Sequence, residues 1–154
     1  MTPQRQTLVL GIGNLLMGDE GVGVHSVAKL NSARVPPNVR ILDGGTGGFH
    51  LLSLFEEHDP IIIIDATMDG KEPGTVTLTE PRFATDFPKT LTAHDIGLRD
   101  LIESAALTRE LPKLYLVAVS IREIRSMVTD LTPEVERALP KVVETVQAIL
   151  KSDK

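Results

Sequence analysis

The chain places acidic side chains and one imidazole just after stretches that read as β-strands. Asn14, Asp19 and Glu20 follow the apolar run Thr7–Ile12. Asp43 and the glycine-rich Gly44-Gly45-Thr46-Gly47-Gly48 follow Val39–Leu42, Asp65 follows the four isoleucines Ile61–Ile64, and His94 opens a later helix. In open parallel sheets, ligands bind beyond the carboxyl ends of the strands, so these groups can reach one rim. Carboxylates with a neutral imidazole suit zinc, nickel or iron by ligand type, with positions left for water or substrate. The chain has no cysteine, which removes thiolate metal sites, iron–sulfur clusters, disulfides and a cysteine nucleophile.

Each of these residues also has a plain structural explanation. Acids are favoured at helix starts by capping and by the helix dipole, so Asp19 and Glu20 suit the start of a helix from Gly21. Of two adjacent acids, one can cap while the other acts. Asp43 before two glycines is a common turn former, and those glycines can also present amides to an anion. Asp65 ends an apolar strand, where a carboxylate is costly unless paired, capped or bound. Thr92-Ala93-His94-Asp95 has the form of a capping box. His25, His50 and His58 lie on or beside helices and read as surface or boundary residues.

Other chemistries fail on spacing. Gly11-Ile12-Gly13 begins like a dinucleotide fingerprint, but Leu16 stands where the third glycine belongs. Asp19 and Glu20 would then repel a pyrophosphate. No Gly-x-Ser-x-Gly elbow and no His-Glu-x-x-His zinc helix occurs. Ser120 follows a strand with no histidine nearby in sequence. Hydrolysis by this chain would use water activated by a metal or a carboxylate.

The elements that must position these groups alternate. A helix is expected over Gly21–Ala33 and a second over Gly48–Glu57, stopped before Asp59-Pro60. The isoleucine run has no polar face and reads as a central parallel strand covered on both sides. Glu72-Pro73-Gly74 is a turn signal, and Thr75–Leu78 alternates as an antiparallel or edge strand. Thr79–Leu91 reads as a loop, and a helix follows with Leu98, Leu101, Ile102 and Ala105 on one face. Leu114–Val119 is the last strand. The final helix, Thr132 to Leu150, should kink or split at Pro140. Together these predict one domain over residues 1–154, a three-layer α/β/α sandwich around a twisted, mostly parallel central sheet with one antiparallel or edge strand.

The 154 residues carry a net charge of −5 and no basic stripe, which argues against nucleic acid. Apolar runs are strand-length and the polar start lacks a signal-peptide core, so no membrane span is expected and the location is expected to be cytoplasmic.

The order of the motifs resembles a known family. Gly11-Ile12-Gly13-Asn14-Leu15-Leu16-Met17-Gly18-Asp19-Glu20-Gly21-Val22-Gly23 is similar to the opening motif of the hydrogenase maturation proteases. Asp43–Gly47, Ile64-Asp65-Ala66 and Thr92–Leu98 resemble later family motifs, in the same order. The resemblance runs from about Leu8 to Leu150. It implies an α/β endopeptidase that removes a C-terminal peptide from the nickel-loaded precursor of a nickel–iron hydrogenase large subunit. It also implies nickel contacts at Glu20, Asp65 and His94, with nickel supplied by the substrate and serving for recognition. Asp43, and Glu20 beside it, would take part in cleavage. The free enzyme would be a monomer. After the last strand this chain reads Ser120-Ile121-Arg122-Glu123-Ile124, where many relatives have a Gln-Pro-like stretch, which leaves the hydrogenase group open. Another metal-dependent peptidase on the same fold, or a non-catalytic nickel- or precursor-binding maturation factor, are the competing readings.

Overall fold

A computed structural model describes residues 5–33, 35–45, 50–82 and 112–152. His94, its capping box and the helix expected after it lie outside the described residues. Five strands form one sheet: β1 (Gln6–Ile12), β2 (Val39–Gly45), β3 (His58–Thr67), β4 (Val76–Thr79) and β5 (Leu114–Ser120). Their order is β2-β1-β3-β5-β4, with all pairs parallel except β4 against β5. The antiparallel strand, β4, is therefore one of the two edge strands, the other being β2.

The isoleucine run lies in β3, at the centre of the sheet. Ile61, Ile62, Ile63 and Ile64 are all fully buried, because strand alternation sends odd and even residues to opposite faces and both faces are covered. Ile62 and Ile64 join Val9, Val117 and Val119 under α1 (Val22–Asn31), α3 (Pro133–Glu136) and α4 (Leu139–Ser152). Ile61 and Ile63 join Leu8, Leu10 and Leu116 under Leu54 and Phe55 of α2 (His50–Glu57). The result is three layers. Each buried isoleucine contributes about 2–3 kcal/mol through removal from water.

The C-terminal helix is split. Residues 137–138 form a turn between α3 and α4, and Pro140 sits in the first turn of α4. Its missing N–H is harmless there because first-turn amides have no intrahelical acceptor. Two expectations change on folding. β2 and β3 extend past the apolar runs to Gly45 and Thr67, so Asp43 and Asp65 lie within strands rather than beyond them. His58 is not a surface or boundary residue: it is 2% exposed, and its Nδ1 lies 2.9 Å from the Leu54 carbonyl oxygen.

Candidate active site

The opening motif folds as a loop and a 3-10 turn (Gly18–Gly21) wedged between the end of β1 and the start of α1. Its glycines permit that wedge. A Cβ on Gly23 would lie 2.3 Å from the Ile12 carbonyl oxygen and 2.5 Å from that of Ile64. A Cβ on Gly13 would lie 2.2 Å from the Glu20 carbonyl oxygen. Real Cβ atoms do not come so close to backbone, so only glycine lets α1 start directly on the ends of β1 and β3. Ile64 precedes Asp65, so the helix that follows Glu20 touches the peptide leading into Asp65.

Glu20 and Asp65 are each 1% exposed. The Asn14 amide donates to Glu20 Oε2 at 2.9 Å, and the Ala66 amide donates to Asp65 Oδ1 at 2.8 Å. Asn14 also steadies its own loop, its Oδ1 accepting from the Leu16 amide at 2.9 Å. Both acids thus belong to the carboxyl rim of adjoining strands, buried and oriented by main-chain donors. Burying carboxylates is costly unless hydrogen bonds or a positive partner compensate.

Asp19 and Glu20 differ in role, and neither makes the expected side-chain cap on α1, whose N-cap is Gly21. Asp19 is 3% exposed and binds across the fold to Thr132. Its Oδ1 accepts from the Thr132 amide at 2.7 Å and its Oδ2 from the Thr132 hydroxyl at 2.8 Å. Asp19 therefore holds the residue at the start of α3 against the motif.

Asp43 is exposed, and its Oδ1 accepts from the Gly45 amide at 2.8 Å, as a turn-forming Asp does. Alternation along β2 places it with Val39 and Ile41 on the α1 face, whereas Asp65 shares the α2 face with Ile61 and Ile63. The register agrees, with Asp43 opposite Gly11 and Gly11 opposite Ile64. Among the described residues, no three His, Asp or Glu side chains stand close enough together to hold a metal ion. The structure brings Glu20 and Asp65 to one rim, places Asp43 at the same carboxyl end with its side chain on the opposite face of the sheet from Asp65, and leaves His94 outside the described residues.

One partner of the motif was not apparent in the sequence, namely the segment after β5. The Gly18 amide donates to Val128 O (2.6 Å) and the Val128 amide to Leu16 O (3.1 Å). His25 Nε2 lies 3.0 Å from Thr129 O, and the Ile121 amide donates to Thr67 O at 2.9 Å. Residues 121–132 thereby clamp the motif loop to the end of β3. The only sequence signal for this was that 121–131 follows a strand with no apolar periodicity, as rim loops do.

Comparison with known proteins agrees with this architecture. A family profile described as hydrogenase maturation protease matches residues 24–149. The chain is 35% identical over 154 residues to the hydrogenase expression/formation protein HupD of Rhizobium leguminosarum bv. viciae, covering 97% of this chain and 76% of that protein. It is 37% identical over 147 residues to the hydrogenase 2 maturation protease of Escherichia coli K12, covering 94% and 90%. The solved structure of the hydrogenase maturating endopeptidase HybD from E. coli superposes with a TM-score of 0.86 at 36% identity, covering 96% and 93%.

Proposed function

Because this chain belongs to the hydrogenase maturation protease family and is a peptidase, we propose that it removes a C-terminal peptide from the nickel-loaded precursor of a nickel–iron hydrogenase large subunit. One observation carries the reading. Two acids, Glu20 and Asp65, are buried at one rim on elements pressed together by obligatory glycines. Oxygen donors of this kind, joined by the imidazole of His94, suit a divalent nickel ion.

In this reading the nickel belongs to the substrate. Glu20, Asp65 and His94 grip an ion already seated in the precursor, and the grip registers that insertion is complete. When bound, the nickel supplies an anchor for the tail and a positive charge near the scissile bond. The chain's own residues do the rest. The Asn14 and Ala66 amides hold Glu20 and Asp65 in place, and the glycine packing fixes the turn relative to β3. Positioning at this level is worth orders of magnitude in rate. Asp43, exposed at the end of β2, acts as the carboxylate that takes a proton from the attacking water; Glu20 shares the catalytic side of the site. The free enzyme is a monomer, and cleavage takes place in the cytoplasm.

The test is cleavage of purified nickel-loaded precursor, followed by mass spectrometry of its C-terminus. Wild type should release one peptide, while Glu20→Gln and His94→Ala should release none and keep wild-type far-UV circular dichroism. Normal cleavage by either variant would remove that residue from the site. Precursor captured but never cut would favour a non-catalytic maturation factor, and cutting of unrelated proteins a broader peptidase.

A further inference from the structure

Six large apolar side chains are exposed among the described residues, and five of them belong to the carboxyl rim. Leu15 (42% exposed) and Leu16 (48%) follow β1, Met68 (37%) follows β3, and Ile124 (40%) and Met127 (80%) follow β5. Scattered exposed hydrophobics need no explanation, but a contiguous set marks an interaction site. Main-chain hydrogen bonds tie together the loops that carry these five. Leu16 O receives the Val128 amide, next to Met127, and Thr67 O, next to Met68, receives the Ile121 amide. The Asp19–Thr132 pair closes the same clamp. The set is therefore preformed, which lowers the entropy lost on binding.

Two details distinguish it from incidental exposure. Met127 has φ 61, a conformation that is unfavourable for a residue other than glycine, asparagine or aspartate. The chain accepts that strain while presenting its most exposed apolar side chain. Beside it, Arg125 packs on Gly18, where an added Cβ would lie 3.5 Å from both its Cβ and its Nε. Arg125 is half-buried and makes no ion pair among the described residues. A half-buried guanidinium next to an apolar surface is suited to a carboxylate brought by a partner.

We infer that the rim formed by Leu15, Leu16, Met68, Ile124 and Met127, with Arg125 beside it, is the docking surface for the polypeptide substrate. It would take an extended segment with aliphatic side chains and an acidic group set against Arg125. The inference rests on the function proposed above, since the occupant is that precursor. The position of the patch on the rim that carries Glu20 and Asp65 selects a substrate chain over a second copy of this protein.

The experiment compares wild type, Leu16→Glu/Met127→Gly, Arg125→Glu and Arg125→Lys. Each is tested for cleavage and for binding of nickel-loaded large-subunit precursor, and its self-association is followed by sedimentation velocity. Glycine at 127 relieves the positive φ, so the double variant should melt no lower than wild type. Its KM should nevertheless rise about tenfold with kcat held within about twofold, the signature of lost uniform binding. Arg125→Glu should raise KM in the same way, and Arg125→Lys should recover part of the loss. An unchanged KM in the double variant, with wild type cutting normally, overturns the docking surface and leaves the proposed function standing. If wild type binds precursor without cutting it and the double variant loses binding, the docking surface stands and the proposed function falls. Concentration-dependent dimerisation of wild type that the double variant abolishes would assign the face to a second copy and overturn the inference.

Discussion

Replacing Gly23 by alanine tests whether close packing of the motif on the sheet is what makes the site. The new Cβ would meet the Ile12 and Ile64 carbonyl oxygens at 2.3 and 2.5 Å, whereas ordinary contact begins at 3.4 Å. Both obstacles are main chain in central strands, so neither can rotate away. The start of α1 must lift by about 1 Å, a fit comparable with other overpacked cores, which lose roughly 1–3 kcal/mol. Alanine returns about 1 kcal/mol through helix propensity. The net loss is about 0–2 kcal/mol, or a melting point lower by up to about 8 °C for a chain of this length. Activity should suffer more than stability. Glu20 lies one turn before residue 23, and a shift of about 1 Å in a catalytic group can cost on the order of 100-fold in rate. Urea denaturation together with precursor cleavage measures both effects. A variant with the wild-type denaturation midpoint and the wild-type rate would refute the argument that these glycines position Glu20.

Other outcomes follow from the same geometry. Asp19→Ala removes two partly buried charge-assisted hydrogen bonds to Thr132, so thermal denaturation should show a loss of roughly 2 kcal/mol, while Glu20→Gln should leave the melting point nearly unchanged; equal losses would contradict the division of roles between these acids. Asp43→Asn keeps an oxygen for the Gly45 amide, so the fold should be retained while single-turnover cleavage falls by at least about 100-fold; a normal rate would exclude Asp43 as the base. Glu134 should titrate below the ordinary 4.5, chiefly because its own backbone amide binds the carboxylate. A lowered folded-state value means this contribution is present above the unfolded-state value and is lost as pH falls through the folded one. It is small because the group is fully exposed, and a side-chain NMR titration with a midpoint at or above 4.5 would contradict it.

Much of this was legible before folding, for definite reasons. Four consecutive isoleucines can be buried only where both faces of a strand are covered, and β3 sits between β1 and β5 under helices on both sides. Glu72-Pro73-Gly74 marked the turn, and Pro140 the broken helix. Local chemistry offered Asp19 and Glu20 one helix cap and one candidate actor, but neither caps α1. It could not foresee the bond that Asp19 makes instead, because its partner, Thr132, lies 113 residues away. Nor could it show that Asp43 and Asp65 face opposite sides of the sheet, which depends on where each strand ends. The clamp from residues 121–132 was hidden for the same reason, since its hydrogen bonds are main-chain and carry no side-chain signature. His58 shows the remaining limit: a histidine beside a helix reads as a boundary residue until the Leu54 carbonyl is found to be its neighbour.

The central claim is that substrate-borne nickel licenses the cut. Nickel-loaded and nickel-free precursor, matched in concentration and mixed with the same metal-free enzyme, should be compared by intact-mass spectrometry over one time course. The C-terminal peptide should be released from the loaded precursor alone. Equal release from both, or release from neither, would contradict it.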